Sequence, residues 1–423
     1  MPSGRWAHSR VADPLRDDPL LNNRDGRLLL GAQAVDVVAA GVSMIALPWL
    51  VLDGGGSSTE AGFVFAFSML PYVLFGLFAG VVGDRYPRRT IMWITHLLQV
   101  VAALLVPVWA LTGHPPLLVI LVAAFVIGTA RVFVDAAVFG AIAAIIGREH
   151  FSQGQATLSA AWAIGYLAGP ALGGVLISLI GAAFALVAEA IMFAVAVTMI
   201  LSIKRSLDAD DHRGHEPAWA MMKEGLAVII QSPRVRAYTG VSIAWNLGAA
   251  MSAALIVPLL HTVLGLGSTP SGIVLAAGAA MGLLVPTLLG RFLPRFGAAR
   301  LTTVATAVSS IAIFATGLAP GFVVALISNA VRSLTDYTIL SVVIGERQKG
   351  VPDRLQARVG ISGRMIAVMA ITIGAALGSL LADPLGVRTV FYISAAIVGL
   401  VLVTALPIVR RVERAAHLEN PTA

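Results

Sequence analysis

The sequence contains no cysteine, only three lysines and little charge of either sign. The lack of cysteine excludes disulfide bonds, thiol catalysis and cysteine-ligated metal sites. Charged residues make up 12% of the 423 residues, about half of the ~25% found in typical soluble domains. A chain this poor in charge lacks the polar groups needed to cover a surface in water.

Motifs of enzymes and of ATP-driven pumps are missing as well. The phosphate-binding loop G-x-x-x-x-G-K-[ST], the nucleophile elbow G-x-S-x-G and the zinc-protease motif H-E-x-x-H do not occur. We therefore expect no enzyme, no cofactor, no metal site and no ATP-driven step.

Long apolar runs dominate what is present. Hydrophobic residues make up 58% of the chain, enough for about twelve membrane spans of ~20 residues each. The predicted spans are Leu28–Leu52, Ala61–Val82, Ile91–Leu111, Leu117–Ala141, Ala156–Ile180, Ala182–Ile203, Ala237–Leu264, Pro270–Leu289, Leu301–Leu318, Gly321–Ile344, Gly360–Ala382 and Arg388–Val409. The predicted fold class is an all-α integral membrane protein with twelve transmembrane helices.

The basic residues predict the topology. If the twelve spans alternate in direction, 26 of the 29 Lys and Arg residues fall on the side that carries both termini. This excess of positive charge marks that side as cytoplasmic. It also accounts for the net charge of +7 without nucleic acid as a partner.

The hydrophilic stretches divide the chain into five parts. We predict a cytoplasmic tail at 1–27, a six-helix bundle at 28–203, a cytoplasmic linker at 204–236, a second six-helix bundle at 237–409 and a cytoplasmic tail at 410–423. Within the linker, apolar residues recur at helical spacing from Pro217 to Ile230. This pattern predicts an amphipathic helix on the membrane surface.

The two bundles repeat each other's sequence features. Gly169-Pro170-Ala171-Leu172-Gly173-Gly174 in span five matches Gly374-Ala375-Ala376-Leu377-Gly378-Ser379 in span eleven. Arg131 and Asp135 in span four lie four residues apart, as do Arg332 and Asp336 in span ten. Such duplication is typical of transporters, whose substrate site lies between the repeats.

Three motifs carry a resemblance to a known family. The loop with Gly80, Gly83, Asp84, Arg85, Arg88 and Arg89 resembles the loop between helices two and three of the major facilitator superfamily, with Pro87 in place of a usual glycine. The helix with Gly165, Gly169, Pro170, Gly173 and Gly174 resembles the antiporter motif of its drug-exporting branches. The stretch 46–52 is similar to the branch of macrolide efflux proteins and the enterobactin exporter.

The resemblance implies two pseudo-symmetric six-helix bundles around a central cavity. It implies that the loop at 80–89 latches the two halves in one conformation, and that the glycine motif belongs to an antiporter. In the second half Pro294 occupies the position that corresponds to Asp84, so we expect the second latch to be weak or missing.

Ionisable side chains inside the spans are the candidate working residues, because each costs at least ~2.5 kcal/mol at the bilayer centre without a partner. We expect proton coupling and substrate contact from Asp36, Arg131, Asp135, Arg332 and Asp336. Asp36 and Arg131 lie at comparable depth, and each of the other two acids lies one helical turn from an arginine.

We interpret two further ionisable residues as structural. Glu189 in span six is interpreted as a packing residue. His96 lies five residues inside the predicted edge of span three, from where its side chain would extend toward the cytoplasmic surface.

The predicted function is export of a bulky amphipathic small molecule, such as an antibiotic or a siderophore, by a proton-coupled monomer in the bacterial inner membrane. A buried acid binds protons more readily and a nearby arginine opposes this, which supplies a coupling mechanism. Two alternatives remain: a proton-coupled importer, and a membrane protein that handles or senses lipids without a soluble substrate.

The topology is tested with cysteines introduced into this cysteine-free chain. In intact cells a membrane-impermeant thiol reagent should label Gly56→Cys and leave Asp210→Cys unlabelled. Labelling of Asp210→Cys alone would reverse the orientation.

Overall fold

The computed structural model describes residues 18–147, 149–208, 218–349 and 351–419, which form helices without a strand among them. The helices are α1 Arg24–Asp53, α2 Ser58–Arg85, α3 Arg88–Ala110, α4 Leu117–Ile146, α5 Phe151–Ile180, α6 Ala182–Leu201, the linker helix Ala218–Gln231, α7 Pro233–Ala254, α8a Ser268–Gly282, α8b Val285–Phe296, α9 Ala298–Leu318, α10 Phe322–Gln348, α11 Asp353–Leu385 and α12 Val387–Glu419. Short helices at Pro19–Asn22 and Ile256–Pro258 and a π-helix at Leu259–Val263 complete the described elements. Of the predicted features, the tail at 1–17, Arg148, part of the linker at 209–217 and the last four residues lie outside the described residues.

Most of these helices are suited to cross a membrane. Ten described helices are long and apolar enough to do so, and α8a with α8b, bent by 46°, makes eleven. The 27-residue α10 is also long enough but falls outside this set, since Arg332 and Asp336 lower its hydropathy. Large apolar side chains such as Leu179, Ile311 and Val403 are 67–74% exposed, as expected where lipid replaces water. The chain is a multi-pass membrane protein.

Local sequence sets the ends of the helices. A capping box joins Ser57 and Glu60 at the start of α2, satisfying backbone N–H groups that have no partner within the helix. The single residue Gly181 separates α5 from α6 and has a φ of 82°, a conformation that glycine adopts without strain. These short connections keep consecutive helices antiparallel.

Glycine faces pack the long helices in the same way in both halves. A Cβ atom added to Gly169 of α5 would lie 2.8 Å from the Cα atom of Gly41 in α1. One added to Gly378 of α11 would lie 2.7 Å from the Cα atom of Met251 in α7. Backbones approach this closely only where side chains are absent. The sequence repeat therefore corresponds to equivalent packing of α5 on α1 and of α11 on α7.

The linker helix packs against the second half. The Ser362 hydroxyl of α11 donates to the carbonyl of Met222 at 3.0 Å, and Glu224 forms an ion pair with Arg358. On the opposite side of the helix Trp219 and Ile230 are each 57% exposed. The helix thus lies on α11 with an apolar side turned outward, as expected at a membrane surface.

The two halves meet most closely at one end of the bundle. We call the end where α1 begins and α12 ends the terminal face, and the opposite end the far face. At the far face, Thr59 of α2 donates to the carbonyl of Ser379 at 2.8 Å, and His261 beyond α7 lies 3.1 Å from Asp53 at the end of α1. Nearby, Thr269 of α8a donates to the hydroxyl of Ser178 at 3.1 Å. These contacts close the bundle at the far face.

The glycine packing is tested by adding one methyl group. Gly169→Ala should lower the free energy of unfolding in detergent by about 1–3 kcal/mol, because the methyl group meets backbone atoms of α1. Gly360→Ala is the control, since open space surrounds the added carbon there. Thermal unfolding of both variants checks the prediction, which fails if the two are equally stable.

Candidate functional site

A cavity of about 370 Å³ lies between the two halves. Residues of α1, α2, α4 and α5 line it from one half, and residues of α7, α8a and α10 from the other. Most of its wall is apolar, with polar groups from Tyr72, Arg131, Tyr166, Asn329 and Arg332 among others. Such a wall of apolar surface with a few polar groups is the usual form of a small-molecule site.

Arg131 connects this cavity to two acids of the first half. Its Nη1 atom lies 2.8 Å from Oδ2 of Asp36, and its Nε atom lies 3.2 Å from Oδ1 of Asp135. Asp36 is fully buried and lies outside the cavity lining. Arg131 lines the cavity and also contacts Asp36. Asp135 also accepts a hydrogen bond of 2.9 Å from the Tyr72 hydroxyl.

The prediction for His96 was wrong. Its side chain is fully buried, with Nδ1 3.5 Å from Oδ1 of Asp36 and 2.8 Å from Oε1 of Gln99. The Gln99 amide in turn donates to Asp36 at 3.1 Å. His96 lies eight residues after Arg88, the first residue of α3, and its side chain points toward Asp36 of α1 instead of the surface.

The second half holds a simpler version of the arginine cluster. Arg332 donates to Oδ2 of Asp336 at 3.0 Å and to Oδ1 of Asn329 at 3.0 Å. Asp336 also accepts from Trp245 at 3.0 Å and from Ser309 at 2.7 Å. Arg332 lines the cavity and Asp336 does not. The i,i+4 spacing seen in the sequence thus yields an ion pair in each half.

Glu189 has surroundings unlike those of the other acids. It is fully buried on α6, and neither carboxylate oxygen has a hydrogen-bond partner among the described residues. Ser43 lies close enough to act on the carboxylate, but the serine hydroxyl donates to the carbonyl of Ala40. A packing role alone leaves two buried polar atoms unexplained.

The predicted latch residues surround the end of α2 at the terminal face. Asp84 and Arg85 are exposed there. The backbone N–H of Arg88 donates to Asp208 at 2.9 Å, and its guanidinium donates to the carbonyl of Leu207 at 3.1 Å. Arg89 donates to the carbonyl of Leu201 at the end of α6. These arginine contacts lie within the first half and its connection to the linker.

The glycines of the latch loop differ in their surroundings. Gly83 faces Ala136 of α4, whose carbonyl oxygen would lie 3.4 Å from an added Cβ atom. Gly80 faces open space. In the second half, Pro294 lies inside α8b.

The glycine motif of α5 contacts both halves. Gly165, Gly169 and Gly173 face α1, whereas Gly174 faces Ser268 and Gly272 of α8a. The carbonyl of Pro170 lies against Gly272. Three of the five motif residues thus pack α5 against α1 of its own half. The other two, Pro170 and Gly174, bring the backbone of α5 against α8a of the second half.

Sequence reasoning missed two contributors to the site. Gln99 lies three residues after His96 on an apolar helix, and this polar pair at helical spacing was the available signal. Arg364 lies 3.5 Å from Asp135 of the other half. That contact depends on how the halves are placed, so the sequence carried no local signal for it.

Comparisons with known proteins agree with this architecture. Residues 29–360 match the family model described as Major Facilitator Superfamily. The multidrug efflux pump Tap of Mycolicibacterium fortuitum is 27% identical over 88% of this chain and 93% of its own length. Macrolide efflux protein A of Streptococcus pyogenes is 24% identical over 86% of this chain and 91% of its own length.

Solved structures share the fold at low identity. The nucleoside transporter NupG covers 91% of this chain and 99% of its own, with a TM-score of 0.76 and 13% identity. A bacterial homologue of the human lysosomal transporter Spinster, in an inward-facing and unoccupied conformation, covers 95% of this chain and 98% of its own, with a TM-score of 0.74 and 14% identity. The family match over most of the chain and the shared two-bundle fold lead to one conclusion: this chain belongs to the major facilitator superfamily.

Proposed function

We propose that the chain is a proton-coupled antiporter that exports bulky, amphipathic small molecules such as macrolides, other antibiotics or siderophores across the bacterial plasma membrane. Both termini lie in the cytoplasm, and the chain acts as a monomer by alternating access. The names of two relatives, a multidrug efflux pump and a macrolide efflux protein, support export of this class of molecule.

One observation carries the proposal. Arg131 lines the cavity between the halves, and the same side chain lies 2.8 Å from the buried carboxylate of Asp36. A substrate in the cavity and a proton on Asp36 therefore act on one guanidinium group. This shared group is what an antiporter needs in order to exchange one for the other.

The exchange follows from charge. While Asp36 is ionised, it holds Arg131 against the cavity wall and leaves room for substrate. When Asp36 binds a proton, the ion pair is lost, and Arg131 turns toward Asp135 and the cavity. A cationic substrate is then repelled by the freed positive charge. A bulky substrate is displaced because the arginine side chain occupies part of the cavity. Gln99 and His96 orient Asp36 for this step through the hydrogen bonds that join them.

The geometry of the cavity also bears on the two alternatives, a lipid-handling protein and an importer. A lipid-handling protein would be expected to have a purely apolar pocket, whereas Arg131, Arg332 and Asn329 line this one. An importer would use the same parts in the opposite direction. The antiporter-type glycine motif supports export, because it packs α5 tightly where the halves meet.

The coupling role of Asp36 is tested by a side chain of similar shape that binds no proton. Asp36→Asn should abolish dye or macrolide uptake driven by a pH gradient in inverted membrane vesicles. Binding of the same compounds to the purified protein should persist, because Asp36 lies outside the cavity lining. It should be weaker and independent of pH, because the neutral amide leaves Arg131 unpaired in the same way as a proton on Asp36.

The control for this experiment is Asp353→Asn, at the first turn of α11 and away from the cavity. It should transport like the parent. If Asp36→Asn transports as well as the parent with the same dependence on the gradient, Asp36 is structural and coupling belongs to another acid.

The latch is tested by a pair of matched substitutions. Asp84→Asn should reduce transport roughly tenfold while the protein still inserts in the membrane, since a neutral amide makes weaker contacts than a carboxylate. Pro294→Ala, at the corresponding position of the second half, should leave transport unchanged. Equal loss in both variants would contradict an asymmetric latch. Transport rates normalised to the amount of protein in the membrane provide the measurement.

A further inference from the structure

Four side chains of alternating charge form a chain from the buried core of the first half to the second half. Asp36 lies 2.8 Å from Arg131, Arg131 lies 3.2 Å from Asp135, and Asp135 lies 3.5 Å from Arg364. The first member is fully buried, and the last has a side chain that is 59% exposed. Charge at one end is therefore felt at the other through contacts of 3.5 Å or less.

Arg364 occupies a distinctive place in this chain. It belongs to α11, and its partner Asp135 belongs to α4, so the pair joins the two halves. Among the described residues, two contacts between an acidic and a basic side chain join the halves. The other, His261 with Asp53, lies at the far face, whereas Arg364 lies eleven residues from the terminal end of α11. The Arg364 pair thus acts on the terminal side of the cavity.

Other ionisable groups surround the two acids. Asp36 faces His96 from α3 and lies within electrostatic reach of Glu189 from α6. Asp135 receives the Tyr72 hydroxyl from α2. Tyr166 of α5 lies within electrostatic reach of both acids and both arginines. Asp36 is closer to Arg131 than Asp135 is. The charge of Asp36 therefore has the most direct effect on how strongly Arg131 interacts with Asp135.

One proton on Asp36 changes the net charge that Arg364 faces. With Asp36 ionised, Asp36, Arg131 and Asp135 together carry one net negative charge, which attracts Arg364. With Asp36 protonated the three carry none, and Arg131 neutralises Asp135 alone. The attraction between the halves on the terminal side is therefore strong without the proton and weak with it.

We propose that Arg364 is the positioning residue through which protonation of Asp36 controls the terminal side of the cavity. This rests on the proposed antiporter function and completes its cycle. Loss of the proton draws Arg364 to Asp135, the arrangement seen in this structure, and closes the terminal side over a loaded site before the far face opens. Gain of a proton from outside releases Arg364 and reopens the site toward the cytoplasm.

The experiment measures the distance between the halves at the terminal face. Spin labels on Gln155→Cys of α5 and Gln348→Cys of α10, both exposed, report it by pulsed electron resonance in nanodiscs. At about pH 8 the parent should favour the short distance more than at about pH 4.5, where carboxyl groups begin to bind protons. The expected change in the ratio of the two populations is about threefold, as for a partly exposed ion pair.

Substitutions identify the residue responsible. Arg364→Gln should give the long distance at both pH values, and Arg364→Lys should retain part of the response. Arg354→Gln, an exposed arginine on the same helix, should behave like the parent. Asp36→Asn alone should favour the long distance. The double variant with Asp36→Asn and Arg364→Gln should behave like Arg364→Gln alone.

The outcomes separate this inference from the proposed function. A pH response that survives Arg364→Gln, or a parent without any response, overturns the role of Arg364. If the response depends on Arg364 but inverted vesicles accumulate no macrolide or dye with a pH gradient, the charge chain stands and the assignment as an exporter fails.

Discussion

A carboxylate buried at membrane depth requires a positive partner, and the first half of this protein is arranged around that requirement at Asp36. Its ion pair with Arg131 fixes the position of α1 relative to α4, which form part of the cavity wall. Arg131 cannot leave without exposing a charge to an apolar core, which costs several kcal/mol. A single proton removes that cost. The requirement for neutrality thus makes the ion pair a structural element and, in the proposed mechanism, the point at which a proton acts.

The two halves share their helix packing and one ion pair each, and they differ in the residues to which we assign the mechanism. Glycine faces join α5 to α1 and α11 to α7 in the same way, and each half has an arginine paired with an aspartate one turn away. Only the first half adds the second acid, Asp36, with its histidine and glutamine neighbours. The second half has Asn246 bonded to Ser242 on α7, and no acid there. In the proposed mechanism, proton coupling is therefore concentrated in one half while the other contributes Arg364.

Much of this arrangement follows from sequence because it depends on local spacing. Apolar runs predict the spans, and the i,i+4 spacing predicts the pairs of Arg131 with Asp135 and of Arg332 with Asp336. Comparable depth, together with the central position of helices one and four that the family resemblance implies, makes a pair of Asp36 with Arg131 possible. The direction in which a side chain points is harder to predict for a helix that is apolar on all sides, and His96 was misassigned for that reason. Contacts between the halves, such as Arg364 with Asp135, depend on the packing of separate bundles.

The central claim is that substrate and proton compete through Arg131. The most direct test adds a macrolide to the purified protein in a weakly buffered detergent solution and follows pH with a dye. Binding should release protons, and Asp36→Asn should bind the macrolide more weakly and without releasing them. Binding without any proton release by the parent, or with proton uptake, would contradict the account.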